Sequence, residues 1–144
     1  MKREYRTIKT LTGNREIAVY PVPRSRGQLA IHRAQSKNPS AVNKSYVITH
    51  LPSSRTIATG IGTLKYAEHR ARHIVDLIEV ANNVWPDVWA AFDTEEPRLT
   101  LPKAFSTAFI RALRGHTGSA IYRQGVIETF LSELKAGKSG EKSS

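Results

Sequence analysis

The chain predicts an α+β fold: a three- to four-stranded antiparallel sheet covered by one long helix, followed by a short aromatic helix and a C-terminal helical pair. Three observations carry this expectation. Short runs rich in β-branched residues, separated by proline and glycine, occupy the sequence up to Ile61. From Leu64 to Ala81 the apolar residues fall at helical spacing. Beyond Asn83, aromatic and aliphatic residues recur three and four apart in segments too short to span more than a few helical turns.

Residues 1–14 mix Lys2, Arg3, Arg6 and Lys9 with Tyr5, Ile8 and Leu11, and read as a basic arm or a first strand. Glu16 to Val22 alternates as a strand, and Pro21 and Pro23 stop it because proline cannot donate to a ladder. Arg24-Ser25-Arg26-Gly27 forms a hairpin tip. The strand around Leu29 places Leu29, Ile31 and Arg33 on one face and Ala30, His32 and Ala34 on the other. The polar stretch 35–45 reads as a loop. Tyr46 to Leu51 and Arg55 to Ile61 form the next hairpin across Pro52-Ser53-Ser54, completing a meander.

Thr63 is placed to cap the long helix, whose stripe is Leu64, Ala67, Ala71, Ile74, Val75, Ile78 and Ala81. Lys65, His69, Arg70, Arg72 and His73 fall off that stripe. Trp85, Trp89 and Phe92 make an aromatic core stripe on a helix begun by Pro86. Helices from Pro102 to Arg114 and from Ser119 to Leu134 follow. The domain reading is therefore a basic sheet-plus-helix domain over 1–92, an acidic linker over 93–101, a helical hairpin over 102–135 packed on the first part or on a partner subunit, and a disordered tail over 136–144.

A chain of 144 residues can remove roughly two-thirds of its unfolded surface from water, so it holds a core without staples. With no cysteine, disulfides, thiolate catalysis and cysteine-based zinc sites are excluded. There is no apolar run able to span a bilayer and no secretory signal pattern at the N-terminus, so a cytoplasmic location and no membrane partner are expected.

The net charge of +10 is unevenly spread. Residues 1–75 carry 14 Lys and Arg against three Glu, whereas residues 76–144 carry eight against nine acidic residues. Clustered cations of this kind attract polyanions, and binding releases condensed counterions. The candidate nucleic-acid contacts are Arg24 and Arg26 at the hairpin tip, Arg33, Lys37, Lys44, Arg55, and Lys65, Arg70 and Arg72 on the long helix. Arginine dominates the set, which suits bidentate phosphate contacts.

Three other constellations stand out in the sequence. His69 and His73, four apart on the helix, have the spacing of a metal pair, but neighbouring cations oppose a divalent ion. His32 and His50 with a nearby cation contain the parts of a metal-independent ribonuclease if they share a sheet face. The segment 101–131 has the outline of a helix-turn-helix led by Ser119, Tyr122, Arg123 and Gln124, although its near-neutral charge favours a helical hairpin.

In element order, residues 28–81 resemble the sheet-plus-helix part of double-stranded-RNA-binding domains and the small arm-binding domains of phage-type recombinases. That resemblance rests on order alone and transfers no functional residue. The sequence thus leads to a non-enzymatic protein without cofactor or metal that binds DNA or RNA through its basic half. The rival is a small inhibitor or adaptor of the kind mobile genetic elements encode, docking on a host protein or nucleoprotein complex. The C-terminal apolar stripes exceed what one short helix buries, which suggests a homodimer interface.

Overall fold

The computed structural model describes residues 2–10, 13–34, 45–85, 87–114 and 120–143. They form two compact units, Met1–Arg72 and His73–Ser144, and the division falls inside the long helix.

Unit 1 is built on a five-stranded meander of β1 (Glu4–Thr10), β2 (Gly13–Pro21), β3 (Leu29–Arg33), β4 (Tyr46–His50) and β5 (Arg55–Ile61), each strand antiparallel to its neighbour. The sheet has one strand more than the three or four expected. The N-terminal segment is that strand, pairing along its length with β2, so that Tyr5 faces Ala18 and Ile8 faces Arg15. Its signal is weak in the sequence because Tyr5 and Ile8, three residues apart, point to opposite faces of a period-two element.

Register fixes two faces in the rest of the sheet. Ala30 opposite Thr49 and His32 opposite Val47 share one face, while Leu29 opposite His50, Ile31 opposite Ile48 and Arg33 opposite Tyr46 share the other. The β1–β2 hairpin curls back over the first face. The Lys9 amide donates to Ser54 Oγ at 3.1 Å in the β4–β5 turn, and Ile8, Ile17, Val19 and Ala30 close a buried cluster with Leu51 packed against it. On the second face Leu29, Ile31, Ile48 and Ile61 are sealed from water. Ala58 and Ile61 are both buried although three residues apart, an odd spacing made possible by the register shifts of β5 against β4. Gly60 adopts φ +69° there, a conformation open to glycine at little cost.

Helix α1 (Leu64–Val84) leaves β5 through Gly62 and Thr63. Thr63 Oγ1 accepts from the Tyr66 amide at 3.1 Å, the expected cap. Within unit 1, α1 buries Ala67 and Ala71, and Ala71 shares a depression with Val22 and Arg24. The helix therefore returns along the second face of the sheet.

In unit 2 the rest of α1 buries Ile74, Val75, Leu77, Ile78 and Ala81. The buried band is wider than the expected stripe and takes in His73, which helical spacing had placed outside it. Helix α2 (Val88–Phe92) contributes Trp89 and Phe92, and Asn82 Oδ1 accepts from the Val88 amide at 3.0 Å. Trp85 is half-buried. The short α3 (Pro97–Thr100) occupies part of the acidic stretch.

Helices α4 (Lys103–Arg114) and α5 (Ala120–Ser143) pack as a pair. Phe105 stacks on Phe109 at 5.2 Å and meets Phe130 edge-on at 6.1 Å, and Arg111 pairs with Glu133 at 2.6 Å. Helix α5 continues well past Leu134, into the stretch whose composition predicts disorder. There Lys138 Nζ donates to the Val84 carbonyl at 2.6 Å, a cation on an orphan acceptor at a helix C-terminus. Gly137 lies so close to Ala104 that a methyl group at this position would overlap the Ala104 Cβ.

Candidate nucleic-acid interface

All described members of the expected cationic set lie in unit 1, which by sequence holds the entire positive surplus. Lys37 and Lys44 lie outside the described residues. The meander divides the others between its two ends. Turns β2–β3 and β4–β5 lie side by side, with the Leu51 amide donating to the Gln28 carbonyl at 2.7 Å. Arg24, Arg26 and Arg55 therefore share one end. Arg33, at the last position of β3, stands at the other, about 13 Å from Leu29 along the strand. Lys65, in the first turn of α1, follows the same far end, whereas Arg72 comes back to the near end, where with Glu68 and Arg24 it lines a depression of about 250 Å³. Arg70 is half-buried on the helix.

The β2–β3 turn is fastened from within by a serine. Ser25 is fully buried, and its hydroxyl donates to the Val22 carbonyl at 2.7 Å and accepts from the Leu29 amide at 3.3 Å. With Ser25 pinned inward, Arg24 and Arg26 are both exposed and both left-handed, at φ 64° and 56°. That conformation is unusual for a residue with a side chain and costs of order 1 kcal/mol or more at each position. The β4–β5 turn has its own anchor: Ser53 Oγ lies 2.7 Å from His50 Nδ1 and accepts from the Arg55 amide at 3.2 Å. This fixes the start of β5, and with it Arg55.

Sequence reasoning did not group Lys9, Arg3, Tyr5, Tyr20 and Tyr46 with this surface. The curl of β1 brings Lys9 to the β4–β5 turn, beside Arg55. Arg3, Tyr20, Arg33 and Tyr46, with Ile17 and Ala18, line a second depression of about 330 Å³. The Arg33 guanidinium stands 5.2 Å from the Tyr46 ring centroid. Of these tyrosines only Tyr5 adjoins a cation in the sequence, Arg6, whereas Tyr20 and Tyr46 come beside Arg3 and Arg33 through the strand register alone.

The two sheet histidines are separated by that same register. His32 lies on the face of Ala30 and Thr49, His50 on the face of Leu29 and Ile48, so they do not form an acid–base pair on one surface. The ribonuclease arrangement of the sequence reading loses its geometry. His32 Nδ1 is 2.8 Å from the Arg33 carbonyl and so donates to it, which leaves Nε2 to accept from Thr49 Oγ1 at 2.7 Å. Burial pushes the His32 pKa below the usual 6.5, against a smaller upward pull from the carbonyl. As pH falls through about 6.5 the unfolded chain takes up this proton before the folded one, so stability is full above that pH and declines below it. Denaturant titrations at several pH values should show this decline. The wild-type minus His32→Gln difference isolates its His32 share, and a difference independent of pH would refute it.

His69 is exposed and His73 buried, and among the described residues no three His, Asp or Glu side chains gather as metal ligands. Of the helix-turn-helix candidates, Ser119 and the Tyr122 and Arg123 side chains lie outside the described residues, and Gln124 is exposed. Among the described residues no helix is long and apolar enough to cross a membrane. No protein-family model matches the chain, and no curated protein or solved structure is significantly similar to it.

Proposed function

We propose that this chain is a non-enzymatic nucleic-acid-binding protein whose basic end, carrying Arg24, Arg26, Arg55, Lys9 and Arg72, holds the phosphate backbone. The observation that carries the reading is the β2–β3 turn, where a buried serine holds two arginines outward in a conformation that folding alone disfavours. A turn selected only for stability would place glycine or asparagine at such positions. Strain kept at a surface position is understandable when the side chains there meet a ligand. The neighbouring Arg55, Lys9 and Arg72 supply cations from three further elements, as contacts to successive phosphates require.

Binding of labelled DNA and RNA oligonucleotides over a range of salt tests the reading. Five phosphate contacts imply a log–log slope of about −4, hence about a 250-fold loss of affinity between roughly 50 and 200 mM salt. Absence of binding at low salt, or affinity indifferent to salt, would refute it.

A further inference from the structure

We propose that the open part of the second sheet face in unit 1 is a base-stacking site for single-stranded nucleic acid, formed by Tyr20 and Tyr46 with Arg3 and Arg33 and extended by Tyr5. The proposal rests on the nucleic-acid reading above and names which form of nucleic acid the protein takes.

The second face changes character along its length. Around Leu29, Ile31 and Ile48 it is fully buried. Two residues further on, Arg33 is exposed and its cross-strand partner Tyr46 is only half-buried, while Tyr20, opposite Ile31, is half-buried as well. Across β2, Tyr5 pairs with Ala18 and is 71% exposed, a large aromatic surface left in water. Alternation along each strand puts these side chains on the same face.

The chemistry is that of a stacking platform. An aromatic ring meets any base through its π-face, and flanking guanidinium groups can stack in turn or hold the adjoining phosphates. Arg33 lies over one face of the Tyr46 ring, so on that side an incoming base stacks on the guanidinium plane or displaces it. The depression that these side chains line is about 330 Å³, at the small end of ligand sites. Two strand spacings and one side-chain repeat separate Tyr20 from Tyr46, about 12 Å, so each ring can take a different base of a splayed strand. Bases within a duplex already stack on each other and offer no free face, which selects single strands.

The bland account is that tyrosine is a common strand residue. It predicts that removing the rings changes folding and leaves binding untouched. The test uses the full chain with a labelled oligothymidylate and an abasic oligomer of the same length and charge. The thymidylate should bind about tenfold more tightly, and Tyr20→Ala, Tyr46→Ala and the exposed Tyr5→Ala should each lose part of that preference. Phenylalanine at the same positions should preserve it, with denaturation midpoints confirming that the variants fold. Equal affinity for the two oligomers, or phenylalanine variants as weak as the alanine ones, would overturn the stacking site while leaving the phosphate-binding reading intact. Failure of both oligomers to bind at low salt would overturn both together.

Discussion

Replacing Arg24 and Arg26 together by glycine is expected to weaken nucleic-acid binding while making the protein more stable. Glycine adopts the left-handed conformation of this turn freely, so each substitution should relieve of order 1 kcal/mol of strain, offset in part by the greater freedom glycine gives the unfolded chain. Loss of two phosphate contacts should lower the steepness of the salt dependence by about 2 and reduce affinity most at low salt. Denaturant unfolding and binding titrations on one preparation read both effects. The opposite signs matter, because a variant that merely unfolds would lose stability and binding together. Unchanged binding in a well-folded double variant would remove these arginines from the interface.

Phe105→Ala should lower the stability of unit 2 by about 3–5 kcal/mol, the usual range for deleting a buried phenyl ring. Phe105 is 1% exposed and packs on both Phe109 and Phe130, so the cavity would open between α4 and α5. Such a loss is a large share of the roughly 5–15 kcal/mol that holds an ordinary domain. The comparison is Ile110→Ala on the same helix, 51% exposed, which should change stability by no more than about 0.5 kcal/mol. A near-equal effect of the two would mean that the aromatic cluster is not the core of this unit.

The legible parts of the fold were those where side-chain period alone decides the answer. The two faces of β3, the order of the meander and the Thr63 cap depend on residues within one element or on adjoining ones. The first strand was ambiguous because its two apolar side chains serve different faces. The inward position of His73 was missed because α1 buries more of its circumference than a single stripe.

For the candidate interface, arginines at a hairpin tip could be anticipated from turn chemistry. Their left-handed backbone, held by a buried serine, could not. The positions of Lys9 and of the three tyrosines depend on pairings between distant segments, and no local pattern encodes a register. The same limit applied to His32 and His50, whose separation follows from one pairing, Leu29 with His50.

The curl that ties Lys9 to Ser54 also bears on self-association. An outermost strand with free amides and carbonyls is a template for a second copy of the chain. In β1 one of those amides is occupied by the Ser54 hydroxyl, and Arg3 and Lys9 place positive charge beside and on the strand, where Arg6 is paired with Glu4 at 3.0 Å. Two such strands brought edge to edge would repel each other. Substitutions that neutralise these cations in order to weaken ligand binding would therefore also remove a guard against aggregation, so the state of assembly of each variant belongs beside its affinity.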